Sequence, residues 1–207
     1  MTKMVRILWH WTAGTHKANS VDKKSYHYII EGDGTVVTGN HPVSANALGK
    51  RLVSGQYAAH TLSLNSGSIG VSLAAMAGAV ESPFSTGQYP ITAAQVAALV
   101  ELTEKLGKVY NIPVSPTTML SHAEVEKTLG VKQKNKWDIT YLPGYGKKSP
   151  KEIGDILRKM VAARSSVKPS TFLDVPKAID YVLEAEKPIK QAFSIARWLR
   201  RLFGGGK

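Results

Sequence analysis

VRILWHWTAG, residues 5–14, is the stretch that decides the fold of this chain. Residues 5–11 are rich in Ile, Leu and Trp, which is typical of a buried β-strand. A glycine turn follows at Gly14, so His10 lies near the end of the predicted strand. Functional side chains of α/β sheets tend to lie at such strand ends.

The rest of the chain alternates strand and helix patterns. Further strands are predicted over residues 26–30, 35–38 and 69–76, with a Gly-Asp-Gly turn joining the first two. Helices are predicted over residues 92–110, 122–130 and 149–163, each with a capping Ser or Thr at or directly before its first residue. We therefore expect the α/β fold class, with a single mixed central β-sheet flanked by helices and a C-terminal helical extension.

Composition limits the chemistry that is available. The chain of 207 residues contains no cysteine, which excludes a disulfide framework and a cysteine-ligated zinc site. Any metal must therefore be held by histidine and carboxylate side chains. The net charge of +12 predicts attraction to polyanions, such as nucleic acid, anionic lipid, lipopolysaccharide or wall polymers.

The N-terminal segment is predicted to be a strand and not a secretory signal, since no apolar region is followed by a small-residue cleavage site. No apolar run is long enough to span a bilayer. The expectation is synthesis in the cytoplasm. If its substrate lies outside, something else must let the protein out.

Three residues far apart in sequence have the chemistry of an open zinc site. His10 lies at a predicted strand end, His122 opens a predicted helix, and Asp138 lies in a polar segment. Two neutral imidazoles and one carboxylate can hold zinc and leave a fourth position for water, which zinc activates at neutral pH. No short motif joins these residues, so structural roles for the two histidines stay open at this point.

Five segments, in order, carry a resemblance to a known family: ILWHWTAG, SYHYIIEGDGTV, AAHTLSLNSGSIGVSL, MLSHAEV and NKWDI. Over about residues 5–145 the chain resembles the N-acetylmuramoyl-L-alanine amidase family, which includes small phage amidase lysozymes and peptidoglycan recognition proteins. The resemblance implies a Zn²⁺-dependent enzyme that hydrolyses the amide bond between N-acetylmuramic acid and L-alanine in peptidoglycan.

The resemblance also implies roles for single residues. His10, His122 and Asp138 match the three zinc ligands. Lys136 matches a lysine that stabilises charge on the substrate carbonyl oxygen, and Tyr26 matches a tyrosine that faces the metal-bound water. Judged without the family, Tyr26 is an ordinary strand aromatic and Lys136 a solvated loop lysine.

Two positions are left open by the resemblance. Many relatives carry a glutamate in the strand at residues 69–73, where this chain has Ser72, so the general base is not identified. His60, beside Asn65 in the third segment, fits either the wall of a substrate groove or the stabilisation of a turn.

The C-terminal part differs in composition from the rest. We predict a catalytic domain over residues 1–164, followed by a linker and a basic tail over residues 165–207. Within the tail, residues 188–203 have an apolar helical face opposite a cationic one, and no acidic residue follows Glu186. This pattern predicts a helix that lies on an anionic membrane or on lipopolysaccharide. The alternative is a helix that packs on the catalytic domain.

Alternative functions are a peptidoglycan-binding module without catalysis and a nucleic-acid-binding protein. All three ligand positions are filled, which favours the enzyme. No specific nucleic-acid partner is expected, because the chain has no Gly-rich phosphate loop, zinc finger or RNP-like motif. A monomeric phage endolysin released by a holin-type pore fits best, and a host enzyme that recycles wall fragments in the cytoplasm is the rival.

Overall fold

The structure, a computed structural model, describes residues 2–166 of the chain. Its strands are β1 (Arg6–Trp11), β2 (Tyr28–Ile30), β3 (Val36–Thr38), β4 (Ser68–Leu73), β5 (Met119–Ser121), β6 (Tyr141–Leu142) and β7 (Gly146–Lys147). Its helices are α1 (Ser20–Ser25), α2 (Ala93–Val109), α3 (His122–Leu129) and α4 (Pro150–Ser166), with a 3₁₀ turn at Val43–Asn46.

Five strands form one mixed sheet in the order β3-β2-β4-β1-β5. Strands β2, β4, β1 and β5 run parallel, and β3 is antiparallel to β2. The predicted mixed central sheet with flanking helices is therefore confirmed. Because β1 and β5 are parallel neighbours, the residues at their carboxyl ends meet at the same edge of the sheet.

The two faces of the sheet differ in the size of their side chains. Strand β4 reads SIGVSL, so Ile, Val and Leu alternate with Ser and Gly, and side chains of a strand alternate between faces. On β1, Trp9 pairs with Val71 on the apolar face, and His10 pairs with Ser72 on the other. The main core lies on the apolar face, where α2 and α4 contribute buried side chains such as Leu99 and Leu157.

Polar contacts fix α2 against the sheet. The indole Nε1 of Trp9 donates to the Thr103 hydroxyl at 3.0 Å. The side-chain amide of Gln95 donates to the carbonyls of Ile30 and Ala74, both at 2.9 Å. Each of these groups is buried and hydrogen-bonded, as buried polar groups must be to avoid a desolvation cost. The orientation of α2 relative to β1 is thereby set.

Helix α4 is tied to α3 by a buried ion pair. The Arg158 guanidinium donates to Glu124 Oε1 at 2.8 Å, and to the Met119 carbonyl at the start of β5 at 2.9 Å. Glu124 also accepts from the backbone of Ser121 at 2.8 Å and completes the capping box that the sequence predicts there. Helix α4 therefore supports the first turn of α3, where His122 lies.

Some sequence-based boundaries were wrong. The predicted strand over residues 26–30 starts only at Tyr28, because Tyr26 is the C-cap of α1, a helix that the sequence analysis missed. Strand β5 was also missed, since its length of three residues is too short to show a periodicity. The predicted C-terminal basic helix lies outside the described residues. Among residues 2–166, no helix has the length and apolar character needed to cross a bilayer.

Candidate metal centre

His10, His122 and Asp138 come together at the carboxyl edge of the sheet. His10 is the penultimate residue of β1, on the small-residue face, His122 opens α3 directly after β5, and Asp138 comes from the segment between α3 and β6. Nδ1 of His10 lies 3.1 Å from Nδ1 of His122 and 3.1 Å from Oδ2 of Asp138. Nδ1 of His122 lies 3.3 Å from the same oxygen. All three residues are buried.

This triangle of donor atoms fits a tetrahedral zinc ion. With zinc–nitrogen and zinc–oxygen bonds of about 2.0–2.1 Å, two ligand atoms of a tetrahedral site lie about 3.3 Å apart. The three observed separations, 3.1, 3.1 and 3.3 Å, are close to that value. Two imidazole nitrogens and a carboxylate oxygen at these distances need a shared cation or proton, since their lone pairs otherwise repel.

The hydrogen bonds of Gln133 show which nitrogen of His122 is unprotonated and presents its lone pair to the cluster. The Gln133 amide nitrogen donates to the carbonyls of Leu62 at 2.9 Å and Val131 at 3.2 Å, and a carbonyl can only accept. Its Oε1 must therefore accept from Nε2 of His122, 2.9 Å away. Nε2 carries the proton, and Nδ1 is free to bind a metal.

Burial sets the charges of the cluster. Burial lowers the pKa of His10 to about 4, although the contact with Asp138 opposes this shift. Burial alone would raise the pKa of Asp138, but its short contacts with His10 and His122 outweigh it and lower the pKa to about 2. At neutral pH the site thus holds a neutral His10 and an ionised Asp138, which are the forms that bind metals.

Tyr26 and Lys136, the two other sequence-predicted site residues, flank the cluster. The Tyr26 ring lies 5.2 Å from the His10 ring, between centroids. Burial and then the charge of Asp138 raise the pKa of Tyr26, so its hydroxyl stays protonated and can donate a hydrogen bond. Lys136 is exposed, and its positive charge adds to the lowering of the His10 pKa.

A cleft of about 600 Å³ opens beside the cluster and is lined by His122. Its rim carries more positive than negative side chains: Lys127, Lys136, Lys147 and Lys148 against Glu81 and Glu126. Glu126 already accepts a hydrogen bond from the Gln133 backbone at 3.1 Å. The cleft therefore suits a ligand that carries negative charge.

Two residues that orient the cluster were not predicted from the sequence. They are Gln133, which accepts from Nε2 of His122, and Thr61, whose hydroxyl lies 3.4 Å from Nε2 of His10. His60 is buried next to Thr61, and its backbone N–H donates to Asn65 Oδ1 at 3.0 Å, a contact that fits the turn-stabilising role, one of the two left open by the sequence. The small residues of β4 beside the site were the available signal, because they leave room for rings above the sheet.

Two imidazoles and one carboxylate converge at the carboxyl edge of a mixed β-sheet. This arrangement places the chain in the class of candidate metal-dependent hydrolases. The chain belongs to the N-acetylmuramoyl-L-alanine amidase family, since the Amidase_2 family model matches residues 2–144. The protein is thus an enzyme, an N-acetylmuramoyl-L-alanine amidase that acts on peptidoglycan.

Several solved structures are similar. The amidase LysC from Clostridium intestinale URNW is 20% identical, with a TM-score of 0.45 over 80% of this chain and 87% of that chain. The amidase AmiD from E. coli, in complex with anhydro-N-acetylmuramic acid-L-Ala-D-gamma-Glu-L-Lys, is 17% identical, with a TM-score of 0.49 over 92% and 74%. The Ph2119 endolysin from a Thermus scotoductus bacteriophage is 20% identical, with a TM-score of 0.39 over 62% and 77%. No curated protein matches the sequence.

Proposed function

We propose that the enzyme is zinc-dependent, with His10, His122 and Asp138 as the ligands, and that it cleaves the bond between N-acetylmuramic acid and L-alanine. The observation that carries this proposal is the triangle of donor atoms, with sides of 3.1, 3.1 and 3.3 Å. Bound zinc would polarise a carbonyl and make water a nucleophile at neutral pH.

Two side chains near the cluster have further roles in the proposed reaction. Lys136, at the rim of the cleft, stabilises the negative charge that develops on the substrate carbonyl oxygen. Tyr26 stays protonated and donates a hydrogen bond, so it orients the attacking water or the carbonyl and does not serve as the base. Ser72, buried and paired with His10 in the sheet, has no carboxylate to take a proton. The bond between the carbonyl carbon and the nitrogen of L-alanine breaks, and the amine leaves with the proton that the attacking water gives up.

The lysine-rich rim favours acidic stem peptides as the part of the substrate that fills the cleft. Stem peptides of peptidoglycan carry free carboxylates beyond the L-alanine, and a cleft with an excess of positive side chains attracts them. Lys127 and Lys148 make no ion pair among the described residues, so both are available for this contact.

The test compares His122→Ala with a matched histidine variant, His41→Ala, whose side chain lies outside the cluster. We expect one zinc per chain in the wild type and in His41→Ala, and loss of both zinc and activity in His122→Ala. Zinc is measured by atomic absorption, and activity by the release of L-alanine amino groups from purified wall. Release at the wild-type rate by His122→Ala would reject the proposal.

A second proposal concerns the tail predicted over residues 165–207, which we regard as a unit separate from the catalytic domain of residues 1–164. Helix α4 runs two residues past that predicted boundary, to Ser166. Its support is the sequence, in which a cationic face lies opposite an apolar one. We expect the full chain to bind vesicles of anionic lipid more tightly than neutral ones. A chain ending at Ser166 should cleave wall but lose that preference, and equal binding by both would reject the role of the tail.

In cells, the proposed role is that of a monomeric phage endolysin, which reaches the wall through a pore made by another protein. Expression with a pore-forming protein should clear a bacterial culture, whereas expression alone should leave it turbid. Clearing without a pore would contradict the proposed release. Sedimentation equilibrium measures the oligomeric state directly.

A further inference from the structure

The segment AAHTLSLN, residues 58–65, contains two buried polar side chains that the mechanism does not use. His60 and Thr61 are exposed by only 7% and 2%. Nδ1 of His60 lies 2.8 Å from the Thr61 hydroxyl, and that hydroxyl lies 3.4 Å from Nε2 of His10. A chain of polar atoms therefore leads from His60 to a residue of the metal centre.

The Ser68 carbonyl, at the far end of this row of polar atoms, determines which group donates in each hydrogen bond. Nε2 of His60 lies 3.4 Å from the Ser68 carbonyl, which can only accept, so Nε2 carries the proton. Nδ1 of His60 then accepts from the Thr61 hydroxyl. The oxygen of Thr61 is left with lone pairs toward His10, and it accepts from Nε2–H of that imidazole.

The surrounding structure holds both side chains in place. The backbone N–H groups of His60 and Thr61 both donate to Asn65 Oδ1, at 3.0 and 2.9 Å. The His60 ring lies over Gly70 of β4, where even a Cβ would come within 2.6 Å of the ring. The absence of a side chain at Gly70 thus leaves the space that the ring fills.

We propose that His60 and Thr61 are positioning residues that keep the proton of His10 on Nε2 and so leave Nδ1 free for the metal. The inference rests on the proposed zinc site. The pair has the same function for His10 as Gln133 has for His122, although neither His60 nor Thr61 belongs to a metal-ligand motif. Both chains of hydrogen bonds end at backbone carbonyls, which cannot reverse their direction.

The test uses the full chain and three variants at two threonines. Thr61→Val keeps the shape of the side chain but removes the hydroxyl, whereas Thr61→Ser keeps the hydroxyl. Thr103→Val is the matched control, because it also removes a buried hydroxyl. That hydroxyl accepts from the ring of Trp9, which lies on the same strand as His10 but on the face away from the cluster. Zinc affinity is measured by competition with a chromophoric chelator.

We expect Thr61→Val to weaken zinc binding about 10–100-fold. Thr61→Ser should stay within about 3-fold of the wild type, and Thr103→Val should lower the thermal midpoint with unchanged zinc affinity. Nitrogen NMR of the zinc-loaded chain should show a slowly exchanging proton on Nε2 of His10 in the wild type and a faster one in Thr61→Val. A purely structural role would not separate the two valine variants.

Two variants of His60 test the inference if Thr61→Val does not fold. His60→Asn can present Oδ1 near the position of Nδ1 and should retain zinc, whereas His60→Leu cannot accept the hydroxyl proton and should bind more weakly. Wild-type zinc affinity in both Thr61→Val and His60→Leu overturns the inference. Failure of the wild type to bind zinc would instead reject the proposed function.

Discussion

Acidification should destabilise the fold through His27, a buried histidine outside the metal cluster. Its Nδ1 accepts from the Gly70 backbone at 2.9 Å, and its Nε2 donates to Asn46 Oδ1 at 3.1 Å. Burial lowers the pKa of His27 to about 3, from 6.5 when it is unfolded. The native state needs this imidazole neutral, because both nitrogens are already committed.

The size of the effect follows from proton linkage. Between pH 6.5 and pH 3 the unfolded chain binds a proton at His27 that the native chain does not. The free energy of unfolding therefore falls as the pH drops, by about 1.4 kcal/mol per pH unit. The part of the free energy of unfolding that depends on a neutral His27 is fully present above pH 6.5, and about 2 kcal/mol of it is lost by pH 5.

The measurement is urea unfolding at half-unit steps between pH 7.5 and pH 5, for the wild type and for His27→Gln. Glutamine offers one acceptor and one donor but does not titrate. The difference between the two free energies cancels the contribution of every group whose titration does not depend on His27. A difference that stays constant from pH 7 to pH 5 would refute the linkage argument.

Three further predictions follow from the site and its support. Lys136→Met should lower kcat on the order of 10²–10³-fold with unchanged zinc content, and Lys132→Met, an exposed neighbour, should match the wild type in the same assay. Gly154→Ala should place a Cβ against the Glu124 carboxylate and disrupt the Arg158 ion pair, which lowers the free energy of unfolding by about 3–5 kcal/mol in urea titrations. Removal of zinc by a chelator should lower the thermal midpoint, since free zinc at about 100 times its Kd stabilises the fold by about 2.7 kcal/mol. An unchanged midpoint would show that the metal does not bind the native state preferentially.

The regular elements could be predicted from local patterns. The capping residue Thr92 located the start of α2, where it forms a capping box with Gln95, and the αL residue Gly130 ended α3 as expected. The family resemblance selected His10, His122 and Asp138, and the structure places them in contact. Periodicity alone could not do so, because these residues meet only through the pairing of β1 with β5 and the return of a loop.

The orienting residues could not be predicted for a related reason. Gln133 and Thr61 act through hydrogen bonds to imidazole nitrogens, and such bonds depend on tertiary distances and leave no repeat in the sequence. Helix α1 was missed because its six residues lie in a polar segment without an apolar stripe. Its Asn19 cap was the available signal, since Asn is a favoured N-cap residue.

The contrast between the two sides of the sheet has an evolutionary consequence. Trp9 and His10 are neighbours in sequence, yet one belongs to the apolar layer and the other to the reacting side. Adaptation to heat or cold can therefore proceed by exchanging large apolar residues beneath the sheet. On the other side, a side chain at Gly70 would come within 2.6 Å of the His60 ring, so replacement of this glycine requires that ring to move.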